Sequence, residues 1–266
     1  MSQKVGCIIP AAGFGSICPV RSTTKVVVET GGELMISRIV RCVKQAGVTG
    51  SIVVVIGDSR KNPYGEQIRQ ALTSAGHADV KFAIQPDRLG AADAVVRGLE
   101  QLDGETHILV TFGDMPLWRP ETFGRLVTAH LLQKAHISMV TVRPPHGHPT
   151  ERYGRIARDG GGRILAAFEP SELREGQLQG AVSVNPSLYV FERVWFEANW
   201  NLIPPVDKGD GFQPEFHLPK LLPIAHEKGF KISEVRLEDP SEALGVNTPE
   251  DLAEVQEVIR QRNGNH

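Results

Sequence analysis

Cysteine, long apolar runs and net charge are all scarce in this chain, and each shortage excludes a class of protein. The three cysteines, Cys7, Cys18 and Cys42, are odd in number and lack metal-ligand spacing, so a reducing compartment suits them better than a disulfide scaffold. No stretch approaches the ~20 apolar residues that cross a bilayer, and the opening MSQKVGCIIPAAGFG has too short an apolar run for a secretory signal. A net charge of -2 on 266 residues offers nothing to nucleic acid or an anionic membrane surface. Any anionic ligand must therefore be met by local charge. The expectation is a cytoplasmic protein with small-molecule partners; the residues leave the oligomeric state open.

What is present is ordinary globular material, 41% hydrophobic and 23% charged, in a length that suits one large α/β domain or two small ones. Short β-branched runs at 5–11, 51–57, 79–85, 107–114 and 136–144 alternate with helical patterns near 33–47, 63–76, 90–102 and 120–134. Pro120 suits the first turn of the last of these. Alternation of this kind predicts an α/β fold with a mostly parallel sheet and helices on both faces. Ligands of such sheets bind beyond the carboxyl ends of the strands, which singles out 11–25, 85–91 and 112–117 as one rim.

Past residue 145 the texture changes. YGRIAR, a glycine turn at 160–162 and RILAAFE read as a hairpin, and AVSVNPSLYVFE (181–192) as one further strand. A loop at 170–180, a helix near 192–200, a polar loop at 203–214, a short helix within 214–229 and a strand in KISEVRLE follow. The final helix, 248–262, has Thr248 as its N-cap and Pro249 at its first position. With no linker or repeat, the second half is expected to extend the first within a single domain.

The opening loop, CIIPAAGFGSICPVRSTTK (7–25), is a strand running into Gly-x-Gly, and it reads either as a plain turn or as a phosphate cradle. It is not a dinucleotide fingerprint, because Cys18 stands at the third glycine and Asp58 lies too far along for the ribose acid. Lys25 closes the loop, where it is either solvated or within reach of a phosphate. In FGDMPL (112–117) a strand ends on Asp114, a turn residue or a magnesium ligand, since Mg²⁺ takes few protein oxygens and keeps its waters. Asn247, in the turn before the last helix, is a turn residue or the second oxygen ligand. Gln85 ends a strand and can read a base edge with donor and acceptor, and Gly90 allows close backbone approach. Gly154 in RYGRI, Glu169 and Asn185 are what a hydroxyl-rich ligand needs, or plain hairpin residues. His146 and His148 in PPHGHP have no third ligand and receive no role.

Taken in order, AAGFG (11–15), Lys25, QPDRLGAADAV (85–95), GDMPL (113–117), YGRI (153–156), Glu169, SVN (183–185) and GVNTPEDL (245–252) resemble the sugar-1-phosphate nucleotidyltransferases. The closest resemblance is to the uridyltransferase domain of bifunctional N-acetylglucosamine-1-phosphate uridyltransferases. It implies a Rossmann-like, mixed, mostly parallel sheet of the nucleotide-diphospho-sugar transferase fold, with 1–145 as the nucleotide half and 146–266 as the sugar half. It implies a Mg²⁺-dependent transfer from a nucleoside triphosphate, UTP first among them, to a sugar 1-phosphate. By position, Ala11, Ala12, Gly13 and Gly15 would wrap the phosphates, Gln85 with the backbone of Arg88, Gly90 and Ala91 would meet the base, and Lys25 would steady the reacting phosphorus. Asp114 and Asn247 would hold Mg²⁺, and Gly154, Glu169 and Asn185 would face the sugar. The acetyltransferase β-helix of the bifunctional enzymes has no counterpart in these residues.

The departures lie at the phosphates and the sugar. The relatives' loop reads G-x-G-T-R where this chain has Ser16 and Ile17, their EINTG is SVNPS with Ser183 and Ser187, and Ser171 stands where many carry lysine. Arg21 is the nearest substitute charge for the loop. Two other readings stay open: the same transfer with another base or a non-hexose phosphate, and a nucleotide-sugar sensor, which Ile17 favours.

Overall fold

β1 (Val5–Pro10) shows how the chain builds its sheet. Successive strand residues point to opposite faces, so Cys7 and Ile9 enter one apolar cluster while Ile8 enters another. Both faces must then be covered. The computed structural model describes residues 3–13, 24–62, 64–169, 172–173, 182–207, 209 and 213–264.

After β1 the described chain resumes in a short 3-10 turn at Lys25–Val27, followed by a small hairpin of β2 (Glu29–Thr30) and β3 (Glu33–Leu34) and then α1 (Met35–Gln45). The hairpin turns on Gly31 and Gly32, both at positive φ, and takes the place of the first residues expected in the helix. β4 (Ile52–Gly57), α2 (Tyr64–Ser74), β5 (Lys81–Gln85), α3 (Gly90–Leu99), β6 (His107–Val110), α4 (Pro120–Gln133) and β7 (Ile137–Val142) keep the predicted alternation. Pro120 opens α4 as expected. β8 (Gly154–Arg158) and β9 (Ile164–Phe168) form the hairpin. β10 (Val184–Asn185), β11 (Tyr189–Glu192), α5 (Arg193–Asn199), α6 (Leu221–Glu227), β12 (Ile232–Leu237) and α7 (Pro249–Gly264) complete the chain.

One mixed sheet joins β5-β4-β1-β6-β11-β7-β10-β8-β9, with β12 also on β7. β5, β4, β1 and β6 are parallel neighbours, as is the β7–β12 pair, and β11 runs antiparallel between β6 and β7. The single strand expected over 181–192 is thus two pieces. Its break is at Pro186 and Ser187, where proline lacks an N–H for a ladder and Ser187 adopts φ 61. β10 reaches the hairpin and β11 returns to the sheet centre, which carries the 154–185 region to the edge of the first half.

Helices α1, α2 and α4 cover one face through Ile36, Val40, Leu72 and Phe123, while α3, α5 and α6 cover the other through Val95, Phe196 and Leu221. α7 packs Val255 and Ile259 against Met35, Leu117 and Val246. That third cluster anchors the turn that carries Asn247. Among the described residues no helix is long and apolar enough to cross a membrane.

Candidate active site

The carboxyl ends of β1, β5 and β6 open onto a cavity of about 400 Å³. The first loop contributes Ala11, Ala12 and Gly13 to it, the β5–α3 turn contributes Gln85, Arg88, Gly90 and Ala91, and Lys25, Asp114 and Asn247 close one end. A second cavity of about 230 Å³ is lined by Arg152, Gly154, Glu169 and Asn185 from the second half. Phe112, Asp114 and Asn247 line both. The expected rim is therefore one place, and the residues named for base and phosphate meet those named for sugar at a shared wall. Gly15 and Arg21 lie outside the described residues, as do Ser16, Ile17 and Ser171.

Asp114 and Asn247 come together through the backbone. The Val246 N–H donates to the Asp114 carbonyl at 2.9 Å, joining the turn after β6 to the turn before α7. Tyr153, directly before β8, reinforces this: its hydroxyl accepts from the Gly245 N–H at 2.9 Å and donates to the Ala243 carbonyl at 2.9 Å. Burial pushes this phenol's pKa up, so it remains a donor. The Asn247 turn is held from the other side by Asp251, which accepts from the N–H groups of Asn247 at 2.7 Å and Thr248 at 2.9 Å, while Thr248 Oγ1 accepts from the Asp251 N–H at 3.0 Å. This is a reciprocal helix cap. Burial raises the Asp251 carboxyl, but Arg152 at 2.5 Å and the two backbone donors outweigh it and hold it below the usual carboxylate range.

The Lys25 ammonium occupies the point on which these groups converge. It donates to Asp114 Oδ2 at 2.6 Å, Asn247 Oδ1 at 2.8 Å and the Val246 carbonyl at 3.1 Å. Lys25 is therefore not freely solvated: it is bound to both residues named as candidate metal ligands. Both oxygens thus point at one position, which the ammonium occupies. Among the described residues no three His, Cys, Asp or Glu side chains cluster as a metal site. One carboxylate and one amide suit Mg²⁺, which draws its other ligands from water and substrate phosphates.

The first loop is fixed by Asn62, whose amide donates to the Ala12 carbonyl at 3.2 Å, and by the Ala11 N–H, which donates to the Val55 carbonyl at 2.8 Å. Gly90 has φ +88, and a Cβ there would lie 2.7 Å from the backbone N and O of Phe216, so the packing of the Phe216 segment itself requires glycine. The Gln85 amide donates to the Gly90 carbonyl at 3.0 Å and to Asp93 at 2.9 Å. Its donor is thus spent internally, and of the donor and acceptor expected at a base edge only the acceptor remains.

In the second cavity a Cβ on Gly154 would sit 3.1 Å from Glu169 Oε1, a tight approach, so the glycine lets that carboxylate lie close to the strand. Asn185 donates to the Tyr189 hydroxyl at 2.6 Å and accepts from the Ser187 N–H at 3.0 Å, leaving one amide hydrogen for a ligand. Sequence reasoning missed Asn62, Asp93 and Asp251. Only Asp251 had a signal, the Thr-x-x-Asp spacing at 248–251.

The chain is similar to known proteins over most of its length. The bifunctional protein GlmU of Geobacter metallireducens is 32% identical over 97% of this chain, and that of Burkholderia pseudomallei is 34% identical over 96%. The alignments cover 51% and 52% of those proteins, so the chain spans about half the length of the curated relatives it matches. Among solved structures, a CMP:2-keto-3-deoxy-manno-octonic acid synthetase complexed with CTP shares the fold with a TM-score of 0.68 at 17% identity, over 97% of this chain and 99% of that one. A nucleotidyl transferase from Methanothermobacter gives 0.63 at 17% identity, over 98% and 100%. The sheet is that of the nucleotide-diphospho-sugar transferase fold. Residues 7–177, well over half of the sequence, match the model of the MobA-like NTP transferase domain, and the chain belongs to that family of nucleotidyltransferases.

Proposed function

We propose that the chain transfers a nucleotidyl group from a nucleoside triphosphate, UTP in the first instance, to a sugar 1-phosphate. The observation that carries this is the shared wall: two cavities meet at Asp114 and Asn247, with one ammonium between those side chains. A two-substrate displacement needs such an arrangement, a donor on one side, an acceptor on the other and positive charge where they touch. The half within 1–145 holds the nucleotide and the half within 146–266 holds the acceptor, in a single transferase domain.

An oxygen of the acceptor phosphate bonds to the α-phosphorus, and the bond from that phosphorus to the β-phosphate bridge breaks, with its electron pair leaving on pyrophosphate. The attacking oxygen is already anionic, so no protein base is required. Catalysis rests on alignment and charge neutralisation. The Ala11 N–H is taken by Val55, so the backbone N–H groups of Ala12 and Gly13 orient the phosphates, and Lys25 neutralises charge on the transferred phosphoryl. Gln85 Oε1 accepts from the uracil N3–H. Mg²⁺ held by Asp114 and Asn247 would supply a positive charge that draws the acceptor phosphate and the α-phosphate together. Gly154, Glu169 and Asn185 take the sugar hydroxyls, and Gly15 and Arg21 would complete the phosphate loop.

A matrix of nucleoside triphosphates against sugar 1-phosphates, scored by pyrophosphate release with and without Mg²⁺, tests the proposal. Metal-dependent release with at least one uridine pair is the expected result. Tight binding of a finished nucleotide sugar without turnover of any pair would overturn it.

A further inference from the structure

Asp93 is a buried carboxylate for which the proposed transfer has no use. It lies in the first turn of α3, 4% exposed, beside Ala92, Ala94 and Val95, which face the core. An acid in such surroundings must be paired. One partner is Arg97, one turn along, at 3.2 Å from Asp93 Oδ1. The other is Gln85, whose Nε2 donates to Asp93 Oδ2 at 2.9 Å and to the Gly90 carbonyl at 3.0 Å.

Asp93 Oδ2 and the Gly90 carbonyl only accept, so both hydrogens of the Gln85 amide are committed. Turning the amide round would set Oε1 against a carboxylate and a carbonyl. Its orientation is thereby fixed by the network. Gln85 lines the nucleotide cavity between Arg88 and Gly90, and Oε1, which has no protein partner among the described residues, is the polar atom it has left for a ligand.

We infer that Asp93 is a specificity-determining positioning residue: by holding Gln85 Nε2, it gives the base pocket a lone acceptor that selects bases whose pairing-edge ring nitrogen carries a hydrogen. Uracil N3 and guanine N1 carry that hydrogen. Cytosine N3 and adenine N1 are themselves acceptors and would leave two lone pairs opposed. The inference rests on the assignment of Gln85 to the base in the proposed transfer. A simpler role for Asp93, as an acid favourable at a helix N-terminus, would support folding but not base choice.

Equilibrium binding of UTP and CTP by calorimetry, without acceptor, separates these roles. The wild type is expected to favour UTP by roughly tenfold to a hundredfold, the effect of one unsatisfied buried polar group. Asp93→Asn presents Gln85 with either an oxygen or an amide, and Asp93→Ser is too short to reach it, so each removes the carboxylate and leaves the Gly90 carbonyl alone to fix the Gln85 amide. Both variants are expected to lower the UTP-to-CTP affinity ratio severalfold, with thermal unfolding confirming that at least one of them is folded. Equal weakening of both nucleotides with the ratio kept would overturn the inference alone and leave Asp93 a structural acid. A wild type that does not distinguish UTP from CTP would overturn the base assignment, and the inference with it.

Discussion

Lys25 and Asp114, 89 positions apart in sequence, are joined by a 2.6 Å ion pair, and the same ammonium binds Asn247. The two oxygens that would take a divalent cation are thus already bound by a side chain. On the proposed function, a cation entering this site displaces the lysine, and the triphosphate draws the ammonium away.

Replacement of Lys25 by Met should therefore separate binding from catalysis. Mn²⁺ affinity of the nucleotide-free protein, read by paramagnetic resonance, is expected to rise, because the competing charge is gone. Pyrophosphate release is expected to fall by roughly a hundredfold or more, the usual loss for removing an electrostatic stabiliser. Mn²⁺ affinity equal to that of the wild type would show that the ammonium does not occupy the cation's place.

Asp251→Ala tests how Asn247 is held. The change strips acceptors from the N–H groups of Asn247 and Thr248 and leaves Arg152 without its partner. A loss of roughly 1–3 kcal/mol in urea unfolding is expected, along with weaker metal-dependent turnover. Full activity with reduced stability would confine Asp251 to a structural cap.

Gly90→Ala is expected to destabilise the protein by at least ~1–2 kcal/mol, the cost of a side chain in the left-handed region, with more from the approach to Phe216. Nucleotide affinity should fall with it. An unchanged urea midpoint would argue against this backbone geometry.

Acid stability should depend on a histidine far from the site. His130 is fully buried, with Nδ1 at 2.8 Å from Ser138 Oγ and Nε2 at 3.1 Å from His107. Burial, then the nearby His107 and His136, lowers its pKa from 6.5 to about 3. Between those values the unfolded chain binds the proton and the folded chain does not, so stability present above pH 6.5 is lost as pH falls toward 3. His130→Gln should flatten part of that slope in thermal melts across the interval; a slope identical to the wild type would refute the assignment.

The sequence by itself determined the alternating strands and helices of the first half, because burial on both faces leaves uninterrupted apolar runs and amphipathic helices leave a 3.6-residue period. It also marked Lys25, Gln85, Asp114 and Asn247 by motif, since a ligand edge needs glycine turns and polar residues where strands stop. Tertiary structure alone decided the rest. The small hairpin before α1, the split of 181–192 into β10 and β11, and the antiparallel insertion of β11 between β6 and β7 follow from pairing between distant segments, which no local pattern encodes. In the same way, whether Gln85 offers a donor or an acceptor was decided by Asp93, and whether Lys25 is solvated or bound was decided by a turn 222 positions away. A side chain's chemistry is written in its residue type, but its orientation is set by whatever the fold packs against it.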